Sequence, residues 1–405
     1  MSVSSHTRRF ALVPALLAGL ATTTCREATR PTFPAYSTVT LDEVTGDNID
    51  TPNWWDGVTL LLGADQSVHV LALDMWNNRV RYGGCPSACG EAAQWLHGTG
   101  DSIAYSYSAF SAGAVQTSAG IDLVYSASAP GSPGSIRYLH CPGTCNLAGN
   151  WSTTPLFANA VSEEWGKGRH NTPLAADGGG GLHLVYLGFQ DSVLHYAHCA
   201  GACASQGSWQ DVALSSGPRP LRESVRLITA APGGGVHVFY ATGADFVHAS
   251  CASGCGVAGS WGYETVAGAA VAGALHGVSA VFGPDGRLHV AYGDLSSSVT
   301  YAVCGAPCPV PGAWSATTLP LATTDVGLAV DGGGALYLAT SGQKVTVSRC
   351  ATSCLSRAGW QSVALDSALG GGQVSIAADA AGRVRVASSY GAWPLVLQFS
   401  QSSGP

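Results

Sequence analysis

Six copies of one short motif, C-x3-C-x5-W, constrain the fold of this chain more than any other feature. The copies are Cys85/Cys89/Trp95, Cys141/Cys145/Trp151, Cys199/Cys203/Trp209, Cys251/Cys255/Trp261, Cys304/Cys308/Trp314 and Cys350/Cys354/Trp360. The first cysteine precedes the tryptophan by 10 residues in every copy, whereas successive copies are 56, 58, 52, 53 and 46 residues apart. A fixed local spacing inside a variable long period is typical of one small repeated unit joined by loops of different length.

The third copy shows what one unit contains. Apolar and alternating stretches predict four strands, at 172–176, 182–186, 193–198 and 209–214. A glycine-rich turn follows the first strand, and the cysteine pair lies between the third and the fourth. Four short antiparallel strands in about 50 residues are typical of a propeller blade.

The second strand of this unit recurs seven times, although the cysteine motif occurs six times. These strands begin at Val68, Ile121, Leu182, Val236, Leu288, Leu336 and Val384. The seventh unit has three predicted strands, at 374–379, 384–387 and 395–399, and then the chain ends. Its fourth strand is predicted at the other end, because 36–42 (YSTVTLD) matches 360–366 (WQSVALD), with Tyr36 in the tryptophan place. We therefore predict an all-β, seven-bladed β-propeller of four-stranded antiparallel blades, closed by the N-terminal strand, which removes free sheet edges.

In two blades, the first turn and the second strand together have a sequence pattern that also occurs in a known family. Residues 283–292 have the sequence GPDGRLHVAY, and residues 177–186 have the sequence DGGGGLHLVY. These blades resemble the sialidase-like (BNR-type) repeat family, whose blades often contain Asp-x-x-Gly-x-Leu-His-Val-x-Tyr. The resemblance implies propeller architecture over nearly the whole mature chain. The family's S-x-D-x-G-x-x-W box and its Phe/Tyr-Arg-Ile-Pro segment do not occur in this sequence, so sialidase chemistry is not implied.

The first 24 residues have the pattern of an export signal, with Arg8 and Arg9 before an apolar stretch from Phe10 to Ala21. That stretch is too short to cross a membrane as a helix. Two processing sites stay open, one after the small-x-small sequence that ends at Ala21 and one before Cys25 as the lipid-bearing first residue of a bacterial lipoprotein. Cys25 is the odd one of 13 cysteines, which favours a role outside disulfides.

These features predict a signal peptide over 1–24, a linker over 25–35 and the propeller over 36–405. As a lipoprotein the chain would lie at the outer membrane, in the periplasm or at the cell surface; otherwise it would be secreted. Membrane contact is expected only through the lipid. The twelve paired cysteines predict six disulfides, because exported proteins fold in an oxidising environment. Zinc is the alternative, but C-x3-C differs from the usual C-x2-C and no histidine keeps a fixed place beside the pairs, so we expect no metal and no cofactor.

The second strands carry polar residues at one equivalent position. Four of them have a histidine there, namely His69, His183, His237 and His289, and the others have Asp122, Tyr337 and Arg385. A ring of ligand contacts would not tolerate these changes. We therefore expect hydrogen bonds between blades from these side chains, and a structural role for the repeat tryptophans and Tyr36.

Five of the 11 tryptophans lie outside the repeat, and all five fall in connections predicted on one face of the ring. Loops between blades and turns between second and third strands share this face, which we call the loop face. The glycine-rich first turns and the cysteine-bridged turns share the opposite face, which we call the disulfide face. Trp54 and Trp55 precede blade 1, Trp76 follows its second strand, Trp165 precedes blade 3 and Trp393 lies in blade 7, next to blade 1.

Aromatic and charged residues of these loops form the predicted ligand-binding set. The candidates are Trp54, Trp55, Trp76, Tyr105, Tyr107, Trp165, Arg169, His170, Arg222 and Trp393. Clustered exposed aromatic rings are typical of recognition sites. The alternative is that these rings fill the channel or pack against their own loops. Equivalent loops differ between blades, which favours one or two sites over one site per blade.

The sequence thus predicts a monomeric binding module for a glycan or for a peptide or protein ligand. A glycoside hydrolase or lyase that uses loop carboxylates such as Glu164 or Glu223, or a purely structural envelope protein, are the alternatives. No catalytic residue is assigned, because no G-x-S-x-G, H-E-x-x-H or phosphate-binding loop occurs. A net charge of −7 argues against nucleic acid, which requires a basic surface.

Overall fold

The computed structural model describes residues 33–44, 55–74, 79–102, 108–128, 134–160, 173–188, 190–221, 226–268, 275, 277–293, 298–305, 308, 314–323, 325–390 and 395–403. Pro34–Pro405 forms one compact unit. The helices of the described residues are single 3-10 turns at Ala92–Gln94, Ala148–Asn150, Gln206–Ser208, Ala258–Ser260 and Arg357–Gly359. The described part of the chain has no helix with the length and apolarity needed to span a membrane.

The described strands form seven four-stranded antiparallel sheets, numbered here as blades 1 to 7. The first strand of the chain, β1 (Tyr36–Val44), belongs to the last blade. Blade 1 contains β2 (Trp55–Leu62), β3 (Val68–Asp74), β4 (Arg79–Cys85) and β5 (Leu96–Ser102). Blade 2 contains β6 (Ser108–Thr117), β7 (Gly120–Ser128), β8 (Gly134–Cys141) and β9 (Ser152–Ala160). Blade 3 contains β10 (Leu174–Ala176), β11 (Leu182–Leu187), β12 (Leu194–Cys199) and β13 (Gln210–Ala213).

The remaining blades repeat this order of strands. Blade 4 contains β14 (Arg226–Ala230), β15 (Val236–Ala241), β16 (Phe246–Cys251) and β17 (Gly262–Ala267). Blade 5 contains β18 (Val278–Phe282), β19 (Leu288–Gly293), β20 (Val299–Cys304) and β21 (Trp314–Leu319). Blade 6 contains β22 (Val326–Val330), β23 (Leu336–Ser341), β24 (Lys344–Cys350) and β25 (Gln361–Leu369). Blade 7 contains β26 (Val374–Ala378), β27 (Val384–Tyr390) and β28 (Leu395–Ser402), and β1 completes it.

The predicted seven-bladed propeller is therefore confirmed, and so is the origin of its last strand. Strand β1 pairs antiparallel with β28 from Tyr36 opposite Ser402 to Val44 opposite Leu395, with a bulge between Thr40 and Asp42. Tyr36 packs against the core that blades 6 and 7 share, which is the place its alignment with the repeat tryptophans predicted. The two ends of the chain thus hold one sheet together.

The innermost strands of all seven blades surround a central cavity of about 300 Å³. Alanine, leucine, isoleucine and valine side chains line most of it, with a few hydroxyl groups between them. Two of these hydroxyls join neighbouring blades. Ser375 Oγ in blade 7 accepts from Leu60 N in blade 1 at 3.1 Å, and Ser279 Oγ in blade 5 accepts from Leu328 N in blade 6 at 2.9 Å. The polar groups of the cavity wall therefore tie blades together.

All six predicted disulfides are present, and each closes the turn between the third and the fourth strand of its blade. The bonded pairs are Cys85–Cys89, Cys141–Cys145, Cys199–Cys203, Cys251–Cys255, Cys304–Cys308 and Cys350–Cys354. Their Cα atoms are 5.6–5.9 Å apart, within the usual range for a disulfide. The twelve cysteines therefore pair within their own repeats, as the spacing predicted.

The repeat tryptophan caps the bridged turn in five of the six blades by donating its indole N–H to the backbone oxygen of the second cysteine. The donor and acceptor residues are Trp95 and Cys89, Trp151 and Cys145, Trp209 and Cys203, Trp261 and Cys255, and Trp360 and Cys354. The indole of Trp209 also packs edge-on against Tyr138 of the preceding blade, with 6.0 Å between ring centroids. One side chain thus fixes its own turn and seals the junction with the neighbouring blade, as expected for a structural residue.

Candidate ligand-binding face

Antiparallel order places the connections between blades, and the turns between second and third strands, at one end of every described sheet. Nine of the predicted ligand-binding residues belong to those connections and lie outside the described residues: Trp54, Trp76, Tyr105, Tyr107, Trp165, Arg169, His170, Arg222 and Trp393. Cys25 also lies outside them. The described strands that flank each of the nine end at the loop face, and the role of these residues in binding stays a prediction.

Trp55 differs slightly from its predicted place in a loop. It is the first residue of β2, and its backbone pairs with Asp74 at the end of β3. The strand therefore begins one residue after Trp54, within the error that sequence patterns carry at strand ends.

Two charged pairs occupy the loop-face ends of blades 1 and 2. Arg81 Nε lies 3.1 Å from Oδ2 of Asp74, whose side chain is almost completely buried. In the next pair, Asp101 of blade 1 accepts from Tyr125 OH of blade 2 at 2.7 Å and lies 3.6 Å from Arg137 Nη1. Burial, together with the hydrogen bond to the Asp101 carboxylate, raises the pKa of Tyr125 well above its usual value. Tyr125 therefore remains a neutral donor, and the two arginines are held with part of their side chains in solvent.

Arg81 also borders a groove between blades 7 and 1, with a volume of about 220 Å³. Leu41 of β1 and Leu397 of β28 form its apolar part, and His97 of β5 lies on its blade 1 side. The closing blade thus supplies apolar surface and blade 1 supplies a guanidinium and an exposed imidazole. A concave apolar surface with a few oriented polar groups is the usual form of a small-ligand site.

A third cluster lies at the loop-face end of blade 3. His195 contacts two carboxylates, Asp191 Oδ2 at 3.0 Å from Nε2 and Asp211 Oδ2 at 3.2 Å from Nδ1. Tyr186 stacks on His195, and Phe157 of blade 2 stacks on Tyr186, with centroid distances of 4.9 Å in both cases. Because the Asp191 and Asp211 side chains are 46% and 32% exposed, they can still accept hydrogen bonds from a ligand.

The charge of this cluster follows from its geometry. Burial alone would lower the pKa of His195, but the hydrogen bonds to Asp211 and Asp191 outweigh it and raise that pKa. For Asp191, burial opposes ionisation, whereas its hydrogen bonds with Val193 N and His195 lower its pKa. The two aspartates therefore favour the protonated form of His195. Its residues were not among the sequence candidates, because nothing in a sequence shows that Asp211, 16 residues later, meets His195.

The disulfide face carries a different set of polar groups, and here one sequence expectation was wrong. The second-strand histidines bond within their own blade and not between blades: His69 to Tyr82 OH, His183 to Tyr196 OH, His237 to His248 and His289 to Tyr301 OH, at 2.7, 2.8, 2.9 and 2.7 Å. The reason is register, because the third strand of the same sheet places a tyrosine or a histidine beside each of them. Blades meet instead through the edges of the repeat tryptophans, which contact the same aromatic residues.

Blade 4 carries the most deeply buried of these networks. His248 Nε2 lies 2.9 Å from His237 Nδ1, and its Nδ1 lies 2.7 Å from Glu264 Oε1. Trp314 of blade 5 donates its indole N–H to the same Glu264 oxygen, where the other five repeat tryptophans donate to a cysteine carbonyl. Burial, reinforced by the nearby His248, lowers the pKa of His237 to about 3. His237 is therefore uncharged at neutral pH. The hydrogen bonds of this network join blade 4 to blade 5, which indicates a structural role.

No protein-family model matches this chain, and no curated protein matches it. Solved structures do share its fold. The polysaccharide lyase Uly1 is 9% identical with a TM-score of 0.51, and the match covers 89% of this chain and 92% of Uly1. A mutant of the Aleuria aurantia lectin in complex with Fucα1-6GlcNAc is 13% identical with a TM-score of 0.49, covering 79% and 98%. The Hadza microbial sialidase Hz136 is 9% identical with a TM-score of 0.47, covering 86% and 65%. At 9% identity, the likeness to Uly1 establishes a shared fold alone.

Proposed function

We propose that this protein is an exported binding module that recognises a glycan through the loop-face sector of blades 7, 1, 2 and 3. The observation that carries the proposal is the pair of Arg81 and the buried Asp74 at the loop-face end of blade 1, which lies beside the groove between blades 7 and 1. It lies in the sector to which the sequence assigns all five tryptophans outside the repeat. Indole rings stack on the apolar faces of sugars, and arginine and aspartate bind their hydroxyl groups.

The differences between blades favour few sites. The groove needs β1 and β28, whereas the cluster of His195, Asp191 and Asp211 belongs to blade 3. In the described residues, no other blade has the same residue types at the equivalent positions of either arrangement. One or two binding sites per chain therefore fit better than seven.

The test is a glycan and cell-wall-polymer array probed with the mature protein and with matched variants. Trp76→Ala removes an aromatic ring of the predicted ligand-binding set. His97→Ala removes an exposed imidazole at the groove. Leu147→Ala and Val257→Ala, which remove exposed apolar side chains on the disulfide face, are the controls. We expect binding to one glycan class that falls at least about tenfold in the first two variants and is unchanged in the controls.

Each other result has a definite meaning. Binding that survives Trp76→Ala and His97→Ala would place the site in another sector. A wild-type protein that binds no glycan would contradict the proposal and favour a protein partner or a purely structural role in the envelope. Equal losses in the loop-face and control variants would point to misfolding, which circular dichroism of the same samples would reveal.

Catalysis is the alternative, since the same fold occurs in a polysaccharide lyase. The array ligands are therefore also assayed for chain cleavage and for new unsaturated or reducing ends. Loss of turnover with retained binding in Glu164→Gln or Glu223→Gln would favour an enzyme. Binding without turnover in the wild type supports the binding module.

We further propose export, with a lipid on Cys25. Six disulfides support folding in an oxidising compartment. Mass spectrometry of the protein from a membrane fraction tests the lipid. A diacylglyceryl group on Cys25, lost together with membrane association in Cys25→Ser, is expected; a soluble mature protein that begins after Ala21 would overturn the lipid anchor and leave export standing.

A further inference from the structure

Three potential metal ligands converge at the disulfide-face end of blade 3. His183 and His198 are direct cross-strand partners on β11 and β12, and their rings stack with 4.8 Å between centroids. Asp177, from the turn before β11, places Oδ2 3.2 Å from His183 Nε2. One ligand atom from each of the three residues lies within 4.8 Å of the other two. The register of β11 and β12 therefore creates the cluster.

The space beside these ligands is kept open by a glycine. A Cβ atom at Gly181 would lie 2.7 Å from Asp177 Oδ2 and 3.2 Å from His198 Nε2. The ligand atoms thus face a recess where residue 181 has no side chain. The recess opens at the surface, because His198 is half-buried and Asp177 is partly exposed.

A second contact orients one of the imidazoles. His183 Nδ1 lies 2.8 Å from Tyr196 OH, which leaves Nε2 as the nitrogen that faces Asp177 and the recess. Tyr196 and His198 are two residues apart on β12, so their side chains lie on the same face of the sheet as His183. Histidines that bind metals almost always have their other ring nitrogen held in this way.

Blade 3 differs from the other blades at this level. The residues paired with the polar second-strand position are Gly84, His140, Ser250, Val303, Arg349 and Gln401 in blades 1, 2, 4, 5, 6 and 7. Blade 5 is a natural comparison, because His289 occupies the place of His183 and has a carboxylate 3.8 Å away, that of Asp285. Asp285, however, comes from a later position of the turn than Asp177, and Val303 replaces His198. Among the seven described pairs, the two-histidine pair belongs to blade 3.

We propose that Asp177, His183 and His198 bind a divalent transition-metal ion, represented by Zn²⁺. Two imidazoles and one carboxylate suit Zn²⁺ at about 2.0–2.2 Å from each donor, and three protein ligands leave one position for water or another ligand. Binding at Nε2 moves the single proton of the neutral His183 ring to Nδ1, where it is donated to Tyr196 OH, so this residue releases no net proton. Binding requires the His198 donor nitrogen, which lies within 4.8 Å of the other two donor atoms, to move closer to them.

The other two groups of potential ligands in the described residues have fewer free donors. Both include Cys308, whose sulfur is bonded to Cys304 in a disulfide. In one of them His248 is buried with both ring nitrogens engaged, by His237 and by Glu264. The blade 3 cluster is therefore the described group that keeps three donor atoms and an open side.

The experiment is calorimetric titration of the untagged, oxidised protein with Zn²⁺ after treatment with a chelator, together with Co²⁺ absorption spectra. We expect one ion per chain in the wild type, with visible Co²⁺ bands. Binding is lost in His198→Ala, which removes a half-buried side chain. Gly181→Ala keeps all three ligands but fills the recess, and we expect it to weaken binding at least about tenfold. Tyr196→Phe removes the partner of His183 Nδ1 and weakens binding by about tenfold.

Matched controls separate this site from other metal-binding groups. Cys25→Ser removes the unpaired thiol, and His97→Ala removes an exposed histidine of blade 1; both keep one bound ion. Zn²⁺ should raise the unfolding midpoint of the wild type and of both controls, but not that of His198→Ala.

Three results would overturn the proposal: no Zn²⁺ binding by the folded wild type, unchanged stoichiometry in His198→Ala, or loss of binding in Cys25→Ser. The site lies on the disulfide face and does not depend on the glycan proposal. The array repeated with a chelator keeps the two apart, since glycan binding should persist when the metal is removed.

Discussion

The two faces of the ring are built on opposite principles. On the disulfide face, the bridged turn and its tryptophan recur almost unchanged. In five of the six repeats the indole N–H donates to the backbone oxygen of the second cysteine, as Trp209 does to Cys203. On the loop face, by contrast, each cluster is individual, as with Arg81 and Asp74 in blade 1 or His195 and its two aspartates in blade 3. Repetition serves the scaffold, and variation on a rigid scaffold is where binding is expected.

The largest test of this contrast compares one tryptophan from each face. Trp209→Ala removes a buried indole, its hydrogen bond to Cys203 and its edge contact with Tyr138 of blade 2, and we expect a loss of about 3–5 kcal/mol in the free energy of unfolding. Trp165→Ala, in a loop-face connection, should change that free energy by less than about 0.5 kcal/mol. Urea denaturation of both variants measures the difference. Equal costs would mean that the loop tryptophans are also structural.

Acid should affect the two faces in opposite directions. Burial lowers the pKa of His237 to about 3, so the folded protein keeps it neutral while the unfolded chain takes up a proton below about pH 6.5. Stability from this residue is therefore complete above pH 6.5 and falls as pH drops toward 3, by about 1.4 kcal/mol per pH unit at most. His195 has a raised pKa, so its contribution is complete below pH 6.5 and is lost as pH rises through its folded pKa.

Unfolding free energies of variants measured from pH 7.5 to 5 separate these two effects. In His237→Gln the unfolding free energy should fall less steeply with decreasing pH, because about one proton fewer is taken up on unfolding. In His195→Ala it should fall more steeply. Leu96→Ala, at an exposed position without a titratable group, serves as the control and should leave the slope unchanged. A steeper acid decline in His237→Gln would contradict this assignment.

A smaller change in stability is expected from substitutions in the bridged turn, and it tests whether the turn has one fixed backbone conformation. The residue before the second cysteine has a positive φ in the described turns, 52° at Ala202 and 66° at Gly254. A side chain in this left-handed conformation costs about 1 kcal/mol, so Ala202→Gly should stabilise the protein and Gly254→Ala should destabilise it by similar amounts. Thermal unfolding of the two variants measures both shifts, and the same sign in both would show that φ does not control the turn.

Local spacing was enough to predict the blades, the disulfides and the closing strand. A strand and a bridged turn are determined by neighbouring residues, so the alignment of 36–42 with 360–366 was sufficient to place β1 beside β28. The hydrogen bonds of the second-strand histidines were predicted between blades and lie within them, because strand register decides which side chain stands opposite. The binding residues predicted in the loops remain predictions, since nearly all of them lie outside the described part of the chain.

The sequence alone determined the number of blades, their four-strand composition and the pairing of twelve cysteines, because each depends on residues within one unit. The tertiary structure decided which distant groups meet. Leu41 and Leu397 reach Arg81 and His97 through ring closure, and His183 reaches His198 through strand register. A periodic pattern specifies each strand locally, whereas the contacts that form grooves and ligand clusters depend on packing between segments that are far apart in the chain.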